Sequence, residues 1–227
     1  MIDKIKAFIL DLDGVITDTA EFHFKAWKKM ADEEGIPFER EDNEKLRGVS
    51  RRKSMELILD GREMAEEKIQ KLMDRKNRYY NDFLENLSHD DLLPGAQELI
   101  DEIIRRGYKI AVASSSRNAK TVIKNLGIMD IFDTISDGHS VENSKPAPDL
   151  FLHTAEKLDL EPESCVVIED AESGVEGALA ADMIAVGVGP EERVGKAHYR
   201  YDKVKDIDLD EIIEEAKSES EEDSTSN

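Results

Sequence analysis

Cysteine is nearly absent: Cys165 is the single thiol in 227 residues, so no internal disulfide and no cysteine-rich zinc site can form. It directly precedes the apolar run Val166-Val167-Ile168, a setting for a buried structural thiol and not for a reactive one. Long hydrophobic runs are missing too. The opening Met1-Ile2-Asp3-Lys4-Ile5-Lys6 leads into a strand-length apolar stretch, too short for a signal-peptide core or a transmembrane helix, so a soluble, cytoplasmic protein with no membrane partner is expected. Positive charge is scarce, with Lys+Arg 31 against Asp+Glu 52 and a net charge of -21. That balance excludes nucleic acid and anionic lipid surfaces as partners, because a polyanion binder needs a basic footprint. An anionic small molecule would need local help from a metal, a few placed cations or helix N-termini. No internal repeat and no apolar heptad stripe is visible, which favours a monomer.

What is present is an ordinary globular balance, 39% hydrophobic and 37% charged, in a chain long enough to bury a core as one domain or as a domain carrying an insertion. Four short, mostly apolar and partly β-branched runs read as strands covered on both faces: 7–10, 109–113, 166–168 and 184–188. Helical stretches alternate with the later ones, as in Ala119–Leu126, preceded by Asn118 as a cap and closed by Gly127. The fold class expected is α/β, a doubly wound parallel sheet. The gap between the first two strands is too long for one crossover helix. It holds helical patterns over 20–34, 51–59 and 63–87 and no convincing strand, with Gly35 as a C-cap after the first. The expectation is an α/β core domain from residues 1–18 and 92–216, an inserted α-helical cap domain over 19–91, and a disordered acidic tail over 217–227.

The strand ends carry the chemistry. The first strand runs straight into Asp11-Leu12-Asp13-Gly14, two carboxylates one residue apart with a glycine that lets the chain bend. In a parallel sheet the crevice beyond the strand C-termini binds ligands. Taken alone, such a string is also good turn chemistry. After the second strand comes Ser114-Ser115-Ser116-Arg117-Asn118, either a phosphate cradle or simply a helix cap. After the third comes Glu169-Asp170, which with Asp11 and Asp13 makes an oxygen-only set suited to Mg²⁺. Lys145, within a proline-bounded stretch, is either solvated or the cation that a phosphate site still lacks. In the helical insertion, His23 and Trp27 would ordinarily be packing residues, and Arg47, Arg51, Arg52 and Lys53 a solvated helix start.

With Asp11-Leu12-Asp13, Ser114, Lys145 and Glu169-Asp170 in this order, the chain resembles the haloacid dehalogenase superfamily of phosphotransferases. The segments 18–27 and 46–54 resemble its phosphosugar-mutase branch. The resemblance implies Asp11 as nucleophile forming an aspartyl-phosphate, Asp13 as general acid and base, and Ser114, Ser115 and Lys145 around the transferring phosphoryl group. It implies Mg²⁺ held by Asp11, the Asp13 backbone carbonyl and Asp170, with Glu169 nearby. A second phosphate would meet Arg51, Ser116, Arg117 and Asn118, and a sugar would meet Trp27, Arg47, Gly48, Val49 and Ser54. His23 and Lys76 would link cap closure to Asp13. The substrates implied are sugar phosphates, and the reaction is interconversion of β-D-glucose 1-phosphate and D-glucose 6-phosphate through β-glucose 1,6-bisphosphate. A sugar-phosphate phosphatase on the same scaffold is the alternative, and a catalytically silent binding module the third reading. The chain departs from the branch at Arg47, where lysine is expected, and at Ala171, where serine is expected.

Overall fold

The computed structural model describes residues 5–216. The expected acidic tail, 217–227, lies outside them. Six strands form one parallel sheet: β1 (Ala7–Leu10), β2 (Lys109–Ala113), β3 (Thr134–Ser136), β4 (Cys165–Glu169), β5 (Ile184–Val188) and β6 (Tyr199–Tyr201), in the order β3-β2-β1-β4-β5-β6. Chain order reverses between β1 and β4, and ligands of such sheets bind beyond the strand ends at that reversal. The interior strands are buried along almost their whole length, which is why their sequences read as continuous apolar runs. The strands expected from sequence did not include β3 and β6, the two edge strands, which are three residues each and only partly buried.

Alternate residues feed opposite faces. Phe8, Leu10, Ile110, Val112, Val166 and Ile168 face one core with α5 (Ala96–Arg105) and α6 (Ala119–Asn125). Ala7, Ile9, Ala111, Cys165 and Val167 face the other, with α7 (Asp149–Leu158) and α8 (Glu172–Ala180). Each fully buried aliphatic side chain stabilises the fold by about 1.5–3 kcal/mol. Cys165 is fully buried within β4, and burial pushes its thiol up to about 11, as befits a packing residue.

Between β1 and β2 the chain is helical: α1 (Ala20–Glu34), α2 (Arg40–Glu44), α3 (Arg51–Leu59) and α4 (Glu66–Leu84). In α1 the buried residues Ala26, Trp27, Met30 and Ala31 recur at helical spacing, and Gly35 ends the helix in the left-handed conformation. The Ser50 hydroxyl caps α3 by accepting from the Lys53 backbone N–H at 3.2 Å. α4 is shorter than the 63–87 expected, since Ala65 at its N-cap is extended. These helices own a hydrophobic cluster built on Trp27, Met30, Phe38, Met55, Ile58 and Leu72, while Ala26, Tyr80 and Leu84 join the sheet's core. Among the described residues no helix is long and apolar enough to cross a membrane.

Candidate active site

Sheet register assembles the centre. Leu10 lies level with Val112 on one side and Ile168 on the other, so the next residue of each strand brings Asp11, Ala113 and Glu169 abreast. Lys145 Nζ meets all three: Asp11 Oδ1 at 2.7 Å, the Ala113 carbonyl at 2.9 Å and Glu169 Oε1 at 2.5 Å. Lys145 is thus buried and paired, not solvated. Burial works against its charge, yet the carboxylates of Asp11 and Glu169 outweigh it and hold the ammonium above the usual lysine range. Burial pushes the Glu169 carboxyl up to about 7 against the pull of Lys145, and its other oxygen accepts from the Ala171 N–H at 2.9 Å.

One carboxylate oxygen each from Asp11, Glu169 and Asp170 lies within 4.8 Å of the other two. Burial, then Glu169 and Asp11, raise Asp170 well above the usual carboxylate range. Three buried acids this close repel one another, and their oxygen-only donors fit a hard divalent cation. The Asp13 carboxylate is not part of this group, in keeping with the expectation that Asp13 offers a metal its backbone carbonyl. Its Oδ1 accepts from the Thr19 backbone N–H at 3.1 Å and from the Thr19 hydroxyl, which turns it toward the helical insertion. Burial, partly offset by the Thr19 hydroxyl, pushes Asp13 up to about 6. Gly14 has φ 90°, and a Cβ there would lie 2.3 Å from the Asp170 carboxyl, so the bend and the acid cluster demand glycine together.

One cavity is lined from both sides. Asp11, Asp13, Ser114, Ser115, Ser116, Arg117 and Asp170 come from the sheet ends, and His23, Trp27, Arg47, Gly48, Val49, Arg51, Ser54 and Lys76 from the helical insertion. Lys145 and Glu169 lie behind this wall. Ser114 is buried and accepts from the Ser116 N–H at 3.1 Å, and the Ser115 hydroxyl donates to the Gly48 carbonyl at 3.0 Å. Arg47 Nη1 pairs with Asp170 Oδ2 at 2.9 Å, so the arginine that stands where lysine was expected spans the cleft to the acid cluster. Arg52 pairs with Glu56 and Glu66, and Arg52 and Lys53 are both exposed, a solvated helix start.

The insertion's side of the cavity is cationic. Lys76 Nζ is 2.8 Å from His23 Nδ1 and lies over the rings of Trp27 at 4.8 Å and Tyr80 at 4.7 Å. Burial, with Arg51 nearby, holds Lys76 well below the usual lysine range, and burial with Lys76 and Arg51 does the same to His23. Burial and the neighbouring Arg117 lower Arg51. Asn118 is a correction. Its carboxamide does not cap α6 but donates to Asn77 Oδ1 at 2.7 Å, and it does not line the cavity. Sequence reasoning missed Asn77, Thr19 and Tyr80. The spacing of Tyr80 four residues after Lys76 was the one available signal, since it sets both on one helical face.

The arrangement joins a buried acid cluster, a paired lysine and a serine cradle at the end of a parallel sheet, the constellation of a phosphoryl-transfer enzyme. Residues 5–182 match the family model of haloacid dehalogenase-like hydrolases, and the chain belongs to that family. It is 44% identical over 215 residues to the beta-phosphoglucomutase of Bacillus subtilis, covering 93% of this chain and 95% of that one. The crystal structure of beta-phosphoglucomutase from Clostridium difficile superposes with a TM-score of 0.90 at 38% identity, covering 94% of this chain and 98% of that one. A phosphorylated carbohydrates phosphatase of Thermotoga maritima is 29% identical, covering 92% of this chain and 97% of that one.

Proposed function

We propose that this chain is a phosphosugar mutase, working as a cytoplasmic monomer, that interconverts β-D-glucose 1-phosphate and D-glucose 6-phosphate through an aspartyl-phosphate on Asp11 and β-glucose 1,6-bisphosphate. The observation that carries the reading is the division of charge across one cavity: carboxylates and Lys145 on the sheet side, and on the helical side Arg51 and Lys76, which have no carboxylate partner among the described residues, beside Arg47, which does. A hydrolase of monophosphates needs the first set alone. An intermediate with a phosphate at each end needs both. The 44% identity to a beta-phosphoglucomutase supports the same choice.

The residues divide the work accordingly. Asp11, with Oδ1 fixed by Lys145, attacks phosphorus, and Lys145, Ser114 and the Ser115 N–H meet the charge that develops on the phosphoryl oxygens. Asp11 and Asp170, with the Asp13 carbonyl and Glu169 beside them, would hold Mg²⁺. When bound it would neutralise the carboxylates and polarise the phosphoryl group. Asp13, raised to about 6, carries a usable proton near neutrality. Thr19 occupies its Oδ1, so Oδ2 remains to protonate the leaving oxygen and, in the second half-reaction, to take the proton of a sugar hydroxyl. Arg51, Ser116 and Arg117 receive the phosphate that is not reacting, with Asn118 held behind them through Asn77, and Trp27, Arg47, Gly48, Val49 and Ser54 bound the sugar. Residues 19–91 act as the cap on the core domain, excluding water while His23 and Lys76 tie its closure to Asp13.

Phosphorus NMR tests the proposal. With β-D-glucose 1-phosphate, Mg²⁺ and a trace of β-glucose 1,6-bisphosphate, glucose 6-phosphate should accumulate with no matching release of inorganic phosphate. Net phosphate release without isomer would reject the mutase in favour of a sugar-phosphate phosphatase.

A further inference from the structure

Asn77 stands on α4 immediately after the buried Lys76, and it does not line the cavity. Its Oδ1 accepts from Arg51 Nη2 at 2.7 Å and from Asn118 Nδ2 at 2.7 Å. Chemistry fixes the amide orientation: a guanidinium has donors only, so the Asn77 oxygen must face it, and Asn118 must then present its NH₂ to the same oxygen. One atom therefore ties together a side chain from α3, one from α4 and the residue that precedes α6 in the sheet-bearing part of the chain. Arg51 has no carboxylate partner among the described residues, and Arg117 close by lowers it further. A neutral acceptor is what this position requires. It fixes the guanidinium without cancelling its charge, whereas a carboxylate at residue 77 would fix it and compete with an incoming anion.

We infer that Asn77 is a positioning residue that sets affinity for a sugar ligand's non-reacting phosphate, by fixing Arg51 against Asn118 of the sheet-bearing part of the chain while leaving the positive charge of Arg51 unspent. The inference rests on the proposed assignment of Arg51 to the non-reacting phosphate. Phosphoryl transfer at Asp11 involves none of these three side chains. Asn77 therefore bears on a ligand with a remote phosphate and leaves a donor with one small phosphoryl group unaffected.

The experiment compares Asn77→Asp and Asn77→Leu with the unmodified chain using two probes. Glucose 6-phosphate affinity is read by calorimetry and by the fluorescence of Trp27, the only tryptophan, which lines the same cavity. Mg²⁺-dependent turnover of acetyl phosphate reads transfer without a remote phosphate. Both variants should bind glucose 6-phosphate about tenfold more weakly, the loss of one charge-assisted contact, while acetyl phosphate turnover moves by less than about twofold. The Asp variant is nearly isosteric and keeps both hydrogen bonds, so its loss would report charge and not misfolding. An Asp variant that binds as tightly as the unmodified chain would overturn the inference, and so would an equal fall with both probes. If the unmodified chain releases phosphate instead of forming isomer, the mutase proposal fails, yet the affinity comparison still decides the role of Asn77.

Discussion

The two walls of the cavity treat charge in opposite ways. On the sheet side the buried charges are paired: Lys145 bridges Asp11 and Glu169, and Asp170 receives Arg47. On the helical side Lys76 has only an imidazole and two ring faces, and Arg51 only a carboxamide. Buried ions that lack partners cost stability, so a protein that keeps them gains something else. The difference teaches that the sheet wall balances most of its charge with its own cations and leaves an acid cluster that a divalent cation would complete. The helical wall is complete only with an anion in the cleft. Arg47 is the exception that joins them, a cation from the helical side already paired with an acid of the other.

The comparison breaks most visibly at Asp11. Asp11→Asn removes the proposed nucleophile but keeps shape and most hydrogen bonds, so isomerase turnover should fall by about a thousandfold or more while the circular dichroism spectrum and thermal midpoint stay close to the unmodified values. A rate within tenfold of normal would remove Asp11 from its role. Next comes the ion pair behind it. Lys145→Met leaves Asp11 and Glu169 buried together without a cation, and denaturant unfolding should show a loss of about 3–5 kcal/mol. Added Mg²⁺ should restore part of this in the same unfolding assay, because a cation at the cluster relieves the same repulsion. A variant as stable as the original, with or without metal, would mean that the sheet wall is not a balanced unit.

Much of the sheet wall was legible in the sequence because its causes are local or periodic. A strand buried on both faces must be apolar, so 7–10 and 109–113 stood out. Residues at the C-terminal end of such a strand in a parallel sheet face the crevice, so Asp11, Ser114 and Glu169 stood out as candidates together, although each alone also read as turn or cap chemistry. Gly14 and Gly35 marked turns that demand positive φ. The resemblance then supplied roles that residue types alone left open, as with Lys145 and Arg51. The illegible part depends on docking between distant segments. Asn118 has good capping chemistry, and nothing near it in sequence reveals that Asn77 takes its side chain instead. Asp13 sits close to Asp11 in the chain, yet a hydroxyl and an N–H from Thr19 turn its carboxylate away from the acid cluster. The three-residue edge strands β3 and β6 escaped because an edge needs no unbroken apolar run.

The finest test asks whether the helical wall carries a real cost. Lys76 is buried, and its ammonium is held well below the usual lysine range by burial and by Arg51. Proton counting gives the sign. Above the folded value and below 10.5, the unfolded chain binds more protons at this residue than the folded one, so the stability owed to Lys76 rises with pH across that window. Lys76→Met keeps the aliphatic stem against Trp27 and Tyr80 but removes the charge. It should unfold at higher denaturant, by about 1–3 kcal/mol at pH 7, with the gap narrowing as pH is raised toward 10. This is opposite in sign to Lys145→Met, although both changes delete a buried lysine from the same site. If both variants lose stability alike, the ring faces and His23 suffice as partners for an ammonium, and the helical wall is as self-contained as the sheet wall.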